Sequence, residues 1–175
     1  TRAQRRRPSL IAAFARRAAA LGEPLAAMDE IEAAQKREWN DELAAVYGEL
    51  GDAELAARTR RAEEWLAQAP NSAALLVTIG RLRTAQSQWA QAEDVLERAL
   101  ALEESAAAWE ALGDCRRGEG DLNGAAISYA NALRFARGAR TSAVGAYQPR
   151  GPLDTRPIAF EERSEHGVPR LPSSR

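Results

Sequence analysis

The chain has one cysteine, Cys115, and one histidine, His166. A single thiol cannot close an intrachain disulfide, and one thiol with one imidazole is too little for a nitrogen and sulfur metal site. Charge of one sign is also missing. The 24 basic and 25 acidic residues leave a formal net charge of -1, so no global field draws the chain to nucleic acid or an anionic membrane. No apolar run approaches the roughly 20 residues that cross a bilayer, and nothing resembles a signal peptide. A glycine-rich phosphate loop, paired His or Cys spacings and a serine elbow with a placed histidine are all absent. The sequence therefore offers no catalytic motif, no cofactor site and no metal site. Lysine is nearly missing too: Lys36 stands alone among the basic residues, which with abundant alanine reads as nucleotide-composition bias.

What is present is repetition. At 175 residues and 45% hydrophobic content the chain is long enough for one domain with a real core. Trp109, Leu112, Gly113, Ala125, Tyr129 and Ala132 fit the tetratricopeptide pattern of W-x2-L-G followed by A-x3-aromatic. Leu76, Ile79, Gly80, Ala92, Leu96 and Ala99 repeat it. Gly80 and Gly113 lie 33 residues apart, as do Ala92 and Ala125. The later turn reads Gly120, Asp121, Leu122, a glycine that ends one helix before an aspartate that caps the next. Ser87, Gln88 and Trp89 hold the equivalent place.

An earlier pair has Phe14 on its first helix, a break at Gly22, Pro24 in the first turn of its second helix, and an inward stripe of Ala27, Ile31 and Ala34. Between these pairs, Leu43, Val46, Tyr47 and Gly48 lead to a turn at Leu50, Gly51 and Asp52. A second helix there runs through Trp65 and Leu66 to Pro70. The period is nearly kept, but the small-residue pattern of that helix slips.

Within each helix, residues three and four apart share a face, so glycine and alanine mark where a neighbouring helix comes close. No helix buries its stripe alone, and stacked pairs build a continuous core. The expected fold is all-α, a tetratricopeptide-like right-handed superhelix of antiparallel helix pairs over residues 1–137. Its repeats span about 8–39, 40–72, 73–105 and 106–137. Residues 138–175, rich in proline, glycine and arginine, read as a disordered tail with apolar islands at 157–160 and 168–171 that could dock on a partner.

The run Ala62, Glu63, Glu64, Trp65, Leu66 closing at Pro70, then Ala74, Leu75, Leu76, Val77, Thr78, Ile79, Gly80, Arg81 and Leu82, resembles the C-terminal part of the proteobacterial HemY family. Trp89, Ala92, Leu96, Ala99 and Leu100 fit the same segment, and the likeness covers roughly residues 8–137. It implies a repeat domain held at the bacterial inner membrane, on its cytoplasmic side, by two N-terminal helices that are missing here. The chain begins at Thr1 and is expected to be a piece of a longer protein. The implied role is a non-catalytic scaffold for protein partners, the enzymes of late protohaem biosynthesis. A generic tetratricopeptide adaptor in envelope assembly is the alternative. Direct haem or porphyrin binding, with Cys115 as the candidate ligand, is a third reading; a lone helical cysteine is more commonly a small buried hydrophobe.

In such arrays the first helices line a groove, so their exposed residues are the candidate partner site. These are Val77, Arg81 and Thr84, then Glu110, Asp114 and Arg117. Arg81 and Arg117 have the fork geometry to hold a carboxylate or a peptide C-terminus. Arg83 and Arg116 stand where the generic repeat prefers an aromatic, either as specificity residues or with their stems laid over the core. Arg2, Arg5, Arg6, Arg7, Arg16 and Arg17 form a basic segment free of acids before Glu23, read as a solvated helix face rather than a nucleic-acid site. If Trp109 is a core residue, Trp109→Ala will cost on the order of 3 to 5 kcal/mol, measured by thermal or denaturant unfolding. An unchanged melting temperature would reject its placement.

Overall fold

Three of the helices that open a helix pair begin in the same way. Asn40, Ser72 and Ser105 each accept a hydrogen bond from the amide three residues on, from Leu43 at 3.1 Å, Leu75 at 3.1 Å and Ala108 at 3.2 Å. Short polar side chains at this place satisfy one of the amides that a helix leaves orphaned. The caps recur 32 and 33 residues apart. The turns within the pairs keep the same period: Gly22, Glu54, Ser87 and Gly120 all take left-handed backbone, with φ of 84°, 49°, 59° and 100°. Glycine enters that region freely, whereas Glu54 and Ser87 do so at a cost of about 1 kcal/mol each.

These signals delimit eight helices in the computed structural model, which describes residues 7–142. They are α1 (Pro8–Ala20), α2 (Pro24–Gln35), α3 (Asp41–Tyr47), α4 (Leu55–Gln68), α5 (Ala73–Ala85), α6 (Trp89–Leu102), α7 (Ala106–Glu119) and α8 (Leu122–Ala136). The described residues contain no strand, and none of their helices is long and apolar enough to cross a membrane. First helices pack in succession, α1 on α3, α3 on α5 and α5 on α7, while α2, α4 and α6 each pack on the first helix that follows. Each first helix is thus buried against the pair before it.

Close approach within a pair is set by glycine. A Cβ on Gly80 would lie 2.5 Å from Leu96 Cγ, and one on Gly113 would lie 2.6 Å from the Tyr129 ring. Ala92, Leu96 and Ala99 are fully buried opposite, so the small and large residues interlock as the repeat requires. Trp109 is buried, and its indole nitrogen donates to Glu104 at 2.8 Å. With Thr141 also donating to it, the Glu104 carboxyl is held below its ordinary range.

The second pair is built differently. α3 stops at Tyr47, and the connection to α4 runs through residues 48–54, past the turn expected at Gly51 and Asp52. A Cβ on Gly48 would lie 2.9 Å from Thr78 Oγ1 of α5, so this glycine admits the next pair rather than a helix of its own. On α4, besides Thr59, the buried positions are Arg58, Ala62 and Trp65, at the spacing that α6 fills with Ala92, Leu96 and Ala99. The order of small and large is inverted. Arg58 is 0% exposed, and its guanidinium donates to the carbonyls of Tyr47, Gly51 (2.6 Å) and Ala53 (3.1 Å). It also lies 5.4 Å from the Tyr47 ring centre. Burial lowers its pKa from the usual arginine value. Tyr47 packs on Trp65 with ring centres 4.8 Å apart and donates to Glu32 at 2.8 Å. Burial, reinforced by the Glu32 carboxylate, pushes its phenol pKa far above the ordinary range.

Past α8 the chain turns back on itself. Asn131 and Ser142 exchange hydrogen bonds of 2.8 and 3.0 Å, so the tail expected from residue 138 is placed as far as residue 142. Residues 143–175 lie outside the described residues, as do His166 and both apolar islands.

Replacing Arg58 tests the second pair. Arg58→Ala leaves three carbonyls without donors and is expected to cost on the order of 3 kcal/mol, lowering Tm by roughly 10 °C. Arg58→Lys recovers only part of this, because an ammonium cannot reproduce the fork. Equal melting temperatures for wild type and Arg58→Ala would show that the carbonyls find water instead.

Candidate functional site

Arginine and carboxylate alternate across the first helices. Arg16 on α1, Glu49 just past α3, Arg81 on α5 and Asp114 on α7 are spaced by 33, 32 and 33 residues, so they hold one repeat position with signs plus, minus, plus, minus. Arg16 pairs with Glu49 at 3.0 Å, and Arg81 reaches Glu49 at 3.7 Å and Glu110 at 3.9 Å. At the far end Asp114 accepts from Arg117 at 3.1 Å and from the Tyr129 hydroxyl at 2.7 Å. That phenol is pushed up by burial and by the carboxylate it faces.

Two clefts flank Glu49. One, of about 330 Å³, lies between Arg16 and Ala19 on α1 and Leu50 beyond α3. The other, of about 280 Å³, is lined by Glu49, Asp52, Arg81, Thr84 and Asp114, with the small Gly48, Gly51, Ala85 and Ala111 between them. Carboxylates outnumber guanidinium groups in the second cleft. Its charged walls suit hydrogen-bonding side chains of a peptide, with its small residues leaving room for the backbone.

Of the six groove residues expected from the sequence, five reach this face. Arg81 and Glu110 meet, Asp114 and Arg117 meet, and Thr84 is half-buried in the second cleft wall. Val77 is the correction. It is only 5% exposed and packs with Leu76, Leu96 and Leu112, because the face of α5 next to the groove turns inward against the following pair. Arg81 and Arg117 are matched by the chain's own carboxylates, so a ligand carboxylate would have to displace them. Glu49 and Arg16 were missed because they lie outside the two clearest repeats. The alternating charge at the 33-residue period was the signal that could have found them.

Arg83 and Arg116 act behind this face. Arg116 is buried, with Nε and Nη2 both 2.8 Å from Glu93 Oε1, and reaches Glu97 at 3.3 Å. Arg83 reaches Glu63 on α4 at 2.8 Å and the Gln91 carbonyl on α6 at 3.4 Å. Glu63 and Glu97 occupy the same place on their helices, so each arginine clamps its first helix to the second helix before it. Cys115 is fully buried, and its thiol donates to the Trp89 carbonyl at 3.4 Å. Burial pushes its pKa up. Among the described residues no group of three or more His, Cys, Asp or Glu is arranged to hold a metal ion.

No family model, curated protein or solved structure matches the chain.

Each pair of the charged column is partly exposed, which limits it to about 0 to 1 kcal/mol. Glu49→Arg would place three like charges in succession and is expected to lower Tm by a few degrees at low ionic strength. The difference should shrink by more than half in molar salt, where screening acts over about 3 Å. A salt-independent change would mean that Glu49 acts through packing instead.

Proposed function

We propose that the chain is a non-catalytic protein-interaction scaffold whose partner lies along the first-helix face. The observation that carries this reading is the column Arg16, Glu49, Arg81, Asp114 with its two clefts. Repeated charges at a fixed spacing, on a frame of buried glycine and alanine contacts, match the way solenoid arrays read extended chains. The eight helices, with each first helix packed on the pair before, support a tetratricopeptide-like right-handed superhelix as the frame.

The likeness of residues 62–100 to the HemY segment extends the proposal to a pathway. In that reading the array gathers late protohaem-biosynthesis enzymes at the bacterial inner membrane, on the cytoplasmic side, through an anchor that is not in this chain. The pathway rests on that resemblance alone. Envelope assembly is the competing setting for the same surface. Direct tetrapyrrole binding through Cys115 draws no support from a thiol that is sealed from solvent and held by Trp89.

Affinity capture from a bacterial membrane extract tests both levels. The wild-type array is expected to recover ferrochelatase-type or porphyrinogen-oxidising enzymes, and Glu49→Arg with Asp114→Arg should lose them by about tenfold or more. Recovery of envelope machinery would reject the pathway while keeping the surface. Capture that the double variant leaves intact would reject the surface itself.

A further inference from the structure

We infer that the outer face of α1 is an interface between two copies of this chain. Every later first helix buries four equivalent positions against the pair before it. They are Leu43, Val46, Tyr47 and Leu50; then Leu75, Thr78, Ile79 and Leu82; then Ala108, Ala111, Leu112 and Cys115, all of them buried. The direction of this face is fixed by contacts. Thr78 donates to the Ala44 carbonyl of α3 at 2.7 Å, and Cys115 donates to the Trp89 carbonyl of α6.

Counting back 33 residues from the set on α3 gives Leu10, Ala13, Phe14 and Arg17. All four are exposed, Leu10 and Phe14 each by 50%. A cavity of about 390 Å³ opens there between Leu10, Ile11, Phe14 and Glu30, and Leu25 is 56% exposed. α1 carries leucine and phenylalanine, exposed, at positions equivalent to those that the later first helices bury.

Charge selects the occupant. α1 holds Arg16 and Arg17 and no acid, while α2 holds Asp29, Glu30 and Glu32 and no base. Arg16 is taken by Glu49, and Glu32 by Tyr47 and Arg61 at 3.1 Å. Arg7 and Arg17 stand at the two ends of the Leu10 and Phe14 stripe, and Glu30 of α2, next to Asp29, lines the cavity beside it. A two-fold axis lays α1 of one copy on α2 of the other and so sets bases against acids twice. Leu133 and Phe135, exposed on α8, stand in the sequence among Arg134, Arg137 and Arg140, which would meet Arg7 and Arg17 as like charges.

Sedimentation equilibrium of the full chain, from micromolar to sub-millimolar concentration, decides this. A monomer–dimer equilibrium is expected, weakened about tenfold or more by Phe14→Glu with helicity unchanged, as for loss of a central aromatic anchor. Arg17→Glu should weaken it as well, and Arg17→Glu combined with Glu30→Arg should restore it, while Leu133→Ser has no effect. A monomer at every concentration would overturn the proposal. So would a dimer that ignores Phe14→Glu or responds to Leu133→Ser. A monomer that sediments with anionic phosphatidylglycerol vesicles and loses this with Phe14→Glu would assign the face to lipid and also overturn it.

Discussion

A buried guanidinium that has carbonyl oxygens for partners and, among the described residues, no carboxylate within ion-pair distance is the constraint on which the second helix pair depends. Taking Arg58 out of water is costly, and the cost is offset at its two terminal nitrogens by the carbonyls of Tyr47, Gly51 and Ala53, which the early end of α3 leaves without helical donors. Each group needs the other. Tyr47 and Trp65 close over the arrangement, so the core of the first two pairs is organised around a charge where the last two pairs use alanine. The stacking of first helices continues across the irregular pair because Gly48 turns toward α5 and admits Thr78.

Electrostatics is layered in the same molecule according to depth. Arg116 and Arg83 join neighbouring repeats through carboxylates at equivalent helix positions, and Arg116 does so out of solvent, where direct partners are obligatory. The column at the first-helix face is wet, with separations that lengthen from 3.0 to 3.9 Å along it. Such pairs hold little energy and exchange easily for a ligand's charges. The inner pairs serve the frame, and the outer ones remain available.

Much of this architecture was legible because it is periodic. Gly80 and Gly113 with their facing Leu96 and Tyr129, the cap at Asp121 and the inward stripe Ala27, Ile31 and Ala34 are residues whose chemistry names their environment. The second pair resisted because its identity is a substitution pattern rather than a motif. Arginine, alanine and tryptophan at positions 58, 62 and 65 do the work of alanine, leucine and alanine, and no propensity announces that a charge will be the largest fully buried side chain. The left-handed turns at Glu54 and Ser87 were equally quiet, because neither residue type signals positive φ. Val77 was misplaced because a valine on a first helix is compatible with either side of it. Spacing alone brings five of the six expected residues to the first-helix face, whereas Arg16 and Glu49 required the weaker repeats to be aligned first.

The parting of the apolar core has a further consequence for how the array comes apart. In a linear stack, stability is a sum of unit terms and nearest-neighbour couplings, so a break in apolar packing divides the chain into cooperative blocks. One buried cluster runs from α1 to α5 and a second from α5 to α7, so that break falls along α5. The second cleft of the first-helix face spans it, from Glu49 to Asp114. A chain laid along that face would cross the seam between blocks, and its binding would raise the cooperativity of the whole stack as it fastened one block to the other.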